Sequence, residues 1–486
     1  MSRKSSLETC DTLSMGRGAV LTHEQSQNSE LLNPKSIDGV NLIERRTPRF
    51  GKFRAAFAFN VGTRLLSVLG RVIAVPISMA LLTVEQYGLW LMISSLTGWL
   101  AFANLGIPSA AQNQLALENG KSSHENMNSI VAYSLRCLGV GGLIVVLLVS
   151  IMAVAAPWKT IWGIDSENAF SFAVSLVLVG LAIGIQLPAK MGTAICNAHG
   201  EIAWPSIAEL VTQVVSIMAI LVVYAINWKS LVALAAVSLV SLSLSPVILA
   251  VLAMRRYSYR LTGIPLDRLN RSRFLGKGVI FLLVSIGELL VLQTDAFVVG
   301  FVKGSDYVPL LLVPLALWSN CIQLQNTFLN PVWPLLTIAI SEKDQLKTQQ
   351  IVWRASWITI AFSLVMAVGL LLFAKPFITF WTLGTINISN LMAFGIAIYV
   401  VVGCIDNLLA TILNAFNAIE YRLSYTVLCG IVKVSTAIVM LRFFNLDILP
   451  LAFAIVMFLF ATTFALFGVH QNLEAARAWR QTSSIL

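Results

Sequence analysis

Long apolar runs dictate what this chain can become. About twelve of them follow one another, at 55–82, 87–111, 127–156, 168–196, 203–226 and 230–254, then 278–302, 307–340, 350–375, 388–414, 421–444 and 448–470. A bilayer core of about 30 Å takes about 20 apolar residues as a helix. No water inside it can satisfy a backbone amide, so each run must close its own hydrogen bonds as a helix. Only 12% of the residues are charged, against about 25% in soluble proteins. The chain therefore reads as an all-α polytopic membrane protein.

Charge placement orients it. Residues 1–53 are polar and read as a disordered cytoplasmic tail, ending in the basic cluster Arg45, Arg46, Arg49, Lys52 and Arg54. A basic cytoplasmic linker fills 255–277, and a short cytoplasmic tail follows 470. With both termini in the cytoplasm, 24 of the 33 lysines and arginines fall inside, Lys190 among them, and five fall outside. That excess inside the cell is the positive-inside pattern. The formal net charge of +10 then points to anionic lipid at cytoplasmic loops, not to nucleic acid.

The two sets of six segments read as a parallel repeat, 54–254 and 278–470, facing each other around a central cleft. Tyr87 in Glu85-Gln86-Tyr87 matches Tyr307 in Ser305-Asp306-Tyr307, 220 positions on. Asn197 in Cys196-Asn197-Ala198 matches Asn414 in Leu413-Asn414-Ala415, 217 positions on. Gly106-Ile107-Pro108 and Asn330-Pro331 end the second segment of each set.

Ionisable groups inside membrane segments are costly and mark function. Arg64 and Arg71 lie seven apart in the first segment, so one helix face carries both. Glu288 and Asp295 repeat that spacing 224 positions later with the opposite sign. One reading bridges the two pairs to close the lobes. In the other, the arginines hold an anionic group such as a pyrophosphate through bidentate hydrogen bonds, and the carboxylates take a coupling H+ or Na+. Arg136 extends the cationic wall or snorkels toward the cytoplasm. Glu209, Asp406 and Lys433 are candidate partners of one another, with Asp406 a further ion-coupling candidate. Asn60, Gln186 and Gln293 are amides able to bond sugar hydroxyls or neighbouring helices. Prolines such as Pro76, Pro108, Pro314 and Pro331 read as kinks. Trp158, Trp162, Trp228, Trp353, Trp357 and Trp381 read as interfacial anchors.

Six scattered cysteines and four separate histidines give no disulfide frame or metal spacing. No nucleophile motif or phosphate loop appears, and no loop has room for a catalytic domain. The expectation is a protein that is not an enzyme and carries no cofactor or metal.

Glu85-Gln86-Tyr87-Gly88-Leu89-Trp90, then Asn104-Leu105-Gly106, then Thr294-Asp295-Ala296-Phe297-Val298-Val299-Gly300 resemble a known set. They are similar to the bacterial O-antigen and exopolysaccharide unit flippases of the multidrug/oligosaccharidyl-lipid/polysaccharide exporter superfamily, in which the second motif begins with Asp where this chain has Asn104. The resemblance covers residues 54–470. It implies a flippase of the bacterial inner membrane that moves undecaprenyl-diphosphate-linked oligosaccharide outward by alternating access, coupled to an ion gradient, beside other polysaccharide-assembly proteins. The alternatives are a multidrug or cation antiporter of the same superfamily, whose cavity should be acidic or apolar, and a membrane glycan polymerase or ligase.

Overall fold

The computed structural model describes residues 62, 66, 69–70, 72–104, 106–120, 124–158, 164–201, 203–259, 286–416 and 418–477. The chain divides into Met1–Ala58 and Phe59–Leu486, and everything described lies in the second unit. The amino-terminal tail and most of the basic linker are outside the described residues.

The first half contains α1 (Val72–Leu81), α2 (Val84–Ala101), α3 (Ile107–Gly120), α4 (His124–Ala155), α5 (Ser166–Ala198), α6 (Ala203–Ala225) and α7 (Leu231–Arg256). The second contains α8 (286–292), α9 (Asp295–Val302), α10 (Val308–Leu329), α11 (Val332–Ser341), α12 (Gln345–Trp381), α13 (Asn390–Ala415), α14 (Ile419–Phe443) and α15 (449–477). Nine helices among the described residues are long and apolar enough to cross a membrane. Segments 55–82 and 278–302 are described only in part, and 87–111 is divided, which accounts for the rest of the expected twelve.

The repeat shows in the packing. In the first half α5 is the hub, lying against α2, α3, α4 and α7; in the second α13 is the hub, lying against α10, α11, α12 and α15. α5 ends at Ala198 and α13 at Ala415, the interval of 217 that the sequence gives. Lipid tails are as apolar as the side chains, so close packing and buried polar bonds hold such helices together. Most of α13 is buried, whereas α6 and α12 turn large apolar side chains outward.

Two expected helices are broken. Segment 87–111 stops at a short 3₁₀ turn over Phe102–Asn104 and passes through Gly106 at φ 69°, a left-handed conformation that costs glycine little. It then restarts as α3, which runs to Gly120. Segment 307–340 breaks at Asn330-Pro331 between α10 and α11. Both breaks fall at the polar and proline pairs that end the second segment of each repeat. The last segment carries a π-helical stretch at Met457–Thr462. α12 runs unbroken for 37 residues, with Asp344 accepting the Lys347 N–H at its start.

Candidate functional site

The halves meet along α2. Its first turn is closed by a capping box, the Thr83 hydroxyl accepting the Gln86 N–H at 3.2 Å and the Gln86 side chain accepting the Thr83 N–H at 3.4 Å. From there α2 runs antiparallel to α9 and packs on the 305–307 turn and on α10. A Cβ on Gly88 would lie 1.8 Å from the Ser305 carbonyl oxygen, one on Gly300 2.6 Å from the Met92 methyl, and one on Gly98 2.6 Å from the Gln293 side chain. Tyr87 and Leu89 on either side of Gly88 are buried. The two turns matched by sequence thus touch each other in space.

A hydrogen bond also crosses the halves. Pro76 has no N–H, so the Val72 carbonyl four residues earlier loses its helical partner. The Trp381 indole N–H, from the end of α12, donates to that carbonyl at 2.6 Å. Trp381 is 4% exposed, so it is a seam residue and not an interfacial anchor. Trp158 is also buried and donates to the Ala153 carbonyl. Trp228, Trp353 and Trp357 are exposed as anchors should be, and Trp162 is outside the described residues.

In the second half, α8 gives way to α9 at Gln293-Thr294. Asp295 opens α9, and its carboxylate accepts from the Lys433 ammonium at 2.7 Å. The same ammonium donates to the Val291 carbonyl on the other side of the break and sits 4.3 Å above the Phe453 ring. Lys433 is 3% exposed. Tyr399 on α13 lies within electrostatic reach of Asp295 and Cys429 on α14 within reach of Lys433, and Asp406 on α13 is within reach of both Tyr399 and Cys429. Of the expected trio, Lys433 serves Asp295 and Glu209 is exposed on α6.

The break between α2 and α3 opens a different environment. A cleft of about 350 Å³ is lined there by Asn104, Pro108, Ser109, Gln112, Lys190, Thr193 and Ala194. Asn104 Oδ1 accepts the Gly106 N–H at 2.9 Å and fixes the turn. Gln112 Oε1 accepts from Asn197 at 3.2 Å. Lys190, counted above among the cytoplasmic charges, sits within α5, eight residues before its end. The second half seals the corresponding place: Asn407 donates to Gln325 and Asn326 at 2.9 Å each, and Gln325 donates to the Cys404 carbonyl at 2.8 Å.

Of the other expected site residues, Arg64, Arg71 and Asn60 lie outside the described residues. Arg136 is exposed on α4, and Gln293 serves the seam. Glu288 is half-buried on α8, on the helix that leads to Asp295. The start of the linker is fastened rather than loose. His199 stacks on Tyr257 with ring centroids 3.8 Å apart and its Nε2 lies 2.9 Å from the Tyr259 hydroxyl, while Arg256 pairs with Glu201 at 2.7 Å. Burial pushes the Tyr259 hydroxyl up to about 12.

No family model matches the sequence, and no curated protein is significantly similar to it. Solved structures do share its fold. An inward-facing multidrug-resistance MATE family transporter of the MOP superfamily superposes with a TM-score of 0.70 at 15% identity, over 86% of this chain and 96% of that one. An outward-facing structure of a multidrug-resistance MATE family transporter gives 0.60 at 15% identity, over 85% and 98%. A MOP superfamily transporter from Pyrococcus furiosus, described as having a binding pocket of reverse polarity, gives 0.57 at 14% identity, over 87% and 97%. The chain has the fold of these transporters.

Proposed function

We propose that the chain is a transporter with two rocking halves, and that its cargo is a lipid-diphosphate-linked oligosaccharide carried across the bacterial inner membrane for surface polysaccharide synthesis. The observation that carries this reading is the seam. Tyr87 and Gly88 belong to the turn on which the resemblance to polysaccharide-unit flippases rests, and that turn abuts its own repeat mate at Ser305. A seam between two packed halves is the kind of interface that opens and closes as a unit.

The Asp295–Lys433 pair is the coupling group in this proposal, with Asp406 and Glu288 on the path to it. Protonating Asp295 removes half of a buried ion pair that clasps the helix break, and Gln293 in that break touches α2 of the other half. Arg64, Arg71, Arg136, Asn60 and Gln293 remain the proposed cargo contacts, and the basic linker the contact with anionic lipid. A second reading, a multidrug antiporter, draws on the likeness to multidrug-resistance structures and on the carboxylate of Asp295 beside Lys433.

The test is reconstitution in vesicles with both cargoes, a fluorescent lipid-diphosphate oligosaccharide and a cationic dye. Gradient-driven movement of the glycan lipid, lost in Arg71→Ala at normal protein level, supports the flippase. Movement of the dye alone rejects it in favour of the antiporter.

A further inference from the structure

The cleft at the α2–α3 break differs from its counterpart in the second half in one decisive respect. Lys190 and Asn407 stand 217 positions apart, the same interval as Asn197 and Asn414. Asn407 is fully engaged with two amides. Lys190 has no hydrogen bond and no ion pair among the described residues, although it is only partly exposed and lies in a membrane-crossing helix. An intramembrane ammonium without a counter-charge is costly and marks a site.

Its surroundings are rich in donors. Ser109 and Thr193 bring hydroxyls. Because the Gln112 carbonyl oxygen is taken by Asn197, its NH₂ group is left for the cleft. Pro108 and Ser109 belong to the first turn of α3, so the positive end of that helix adds to the field. A half-helix that restarts inside a membrane protein beside a fixed cation is suited to an anionic group. The volume falls in the usual range for small-ligand pockets, about 300–1,000 Å³.

We propose that this cleft is an oxyanion subsite, in which Lys190 and the donors of Ser109, Gln112 and Thr193 hold a phosphate group of the cargo. The inference rests on the transport reading for the source of the phosphate. Its test reads binding and not transport, so either can fail without the other.

Full-length protein in phosphatidylcholine nanodiscs is titrated with inorganic pyrophosphate by calorimetry. Parallel discs carry a polyprenyl diphosphate or phosphatidylglycerol, read by ³¹P NMR. Saturable binding is expected to pyrophosphate or to the polyprenyl diphosphate, and the arm that responds identifies a free or a lipid-borne source. Lys190→Met should weaken it roughly tenfold or more, about 1.4 kcal/mol, and Lys190→Arg should retain it. Asn104→Asp keeps the bond to the Gly106 N–H, puts a carboxylate in the same cleft and should also weaken binding; it carries the test if Lys190→Met does not fold. Unchanged binding in the folded variants overturns the proposal. So does absence of binding in every arm, or a response confined to phosphatidylglycerol, which would make the ligand ambient lipid and not cargo.

Discussion

Replacing Gly88 with alanine puts a methyl group where the neighbouring half already has backbone. The new Cβ would lie 1.8 Å from the Ser305 carbonyl oxygen and 2.8 Å from its carbon, and real Cβ atoms essentially never come under 3.0 Å. Backbone cannot swing aside as a side-chain tip can, so α2 and the 305–307 turn must separate by more than an ångström. Overpacking of this kind costs about 1–3 kcal/mol. The contact joins the two halves, so the cost falls on the joined state and not on the folding of either half. An equilibrium between joined and parted halves would shift by about 5- to 150-fold. Double electron–electron resonance between nitroxides at Lys229 and Lys303, in a background without native cysteines, reads this directly. Both side chains are exposed, on connections at the seam end of their halves. The variant should show a larger long-distance population and slower glycan-lipid movement at normal protein level. A distance distribution that superposes on that of the parent would refute the reasoning.

Asp295→Asn should strip Lys433 of its counter-charge and cost about 3–5 kcal/mol, the penalty for breaking a buried pair; the double variant Asp295→Asn, Lys433→Met should recover thermal stability while losing gradient-driven transport, as a melting curve and a flux assay would show. Trp381→Phe leaves the Val72 carbonyl without a donor, for about 1–3 kcal/mol, and should part the same two labels as Gly88→Ala without any steric clash. Gly106→Ala meets no atom within 4 Å, so its cost is conformational alone, about 1–2 kcal/mol for a left-handed residue, visible as a lower melting temperature.

The broad architecture is legible because lipid removes alternatives: an apolar run of twenty or more residues has little choice but to be a helix. The repeat is legible as well, through Tyr87 and Tyr307 and through Asn197 and Asn414, and the two polar and proline pairs correctly mark interruptions. The partners of the buried charges are not. Sign and spacing point from Asp295 to the arginines of the first segment, which lie outside the described residues, and do not single out Lys433, which reaches Asp295 from a helix of its own half. Lys190 shows the opposite failure. Six residues inside a segment boundary, a lysine reads as a topology signal, and only the packing of α3 along α5 reveals the cleft beside it. Trp381 misleads in the same way, since an indole near a segment end is normally wet, and the missing donor of Pro76 that recruits it lies far away in sequence.

The length of α12 has a consequence for the membrane itself. At 1.5 Å per residue its 37 residues reach about 55 Å, far beyond a hydrocarbon layer of about 30 Å. The helix must lean or protrude, and the lean depends on lipid tail length. Trp353 and Trp357, edge to face with centroids 5.7 Å apart, sit toward one end, and Trp381 grips the opposite half at the other. Longer acyl chains therefore pull this lever upright and shorter ones tip it, so bilayer thickness bears on the grip with no ligand involved.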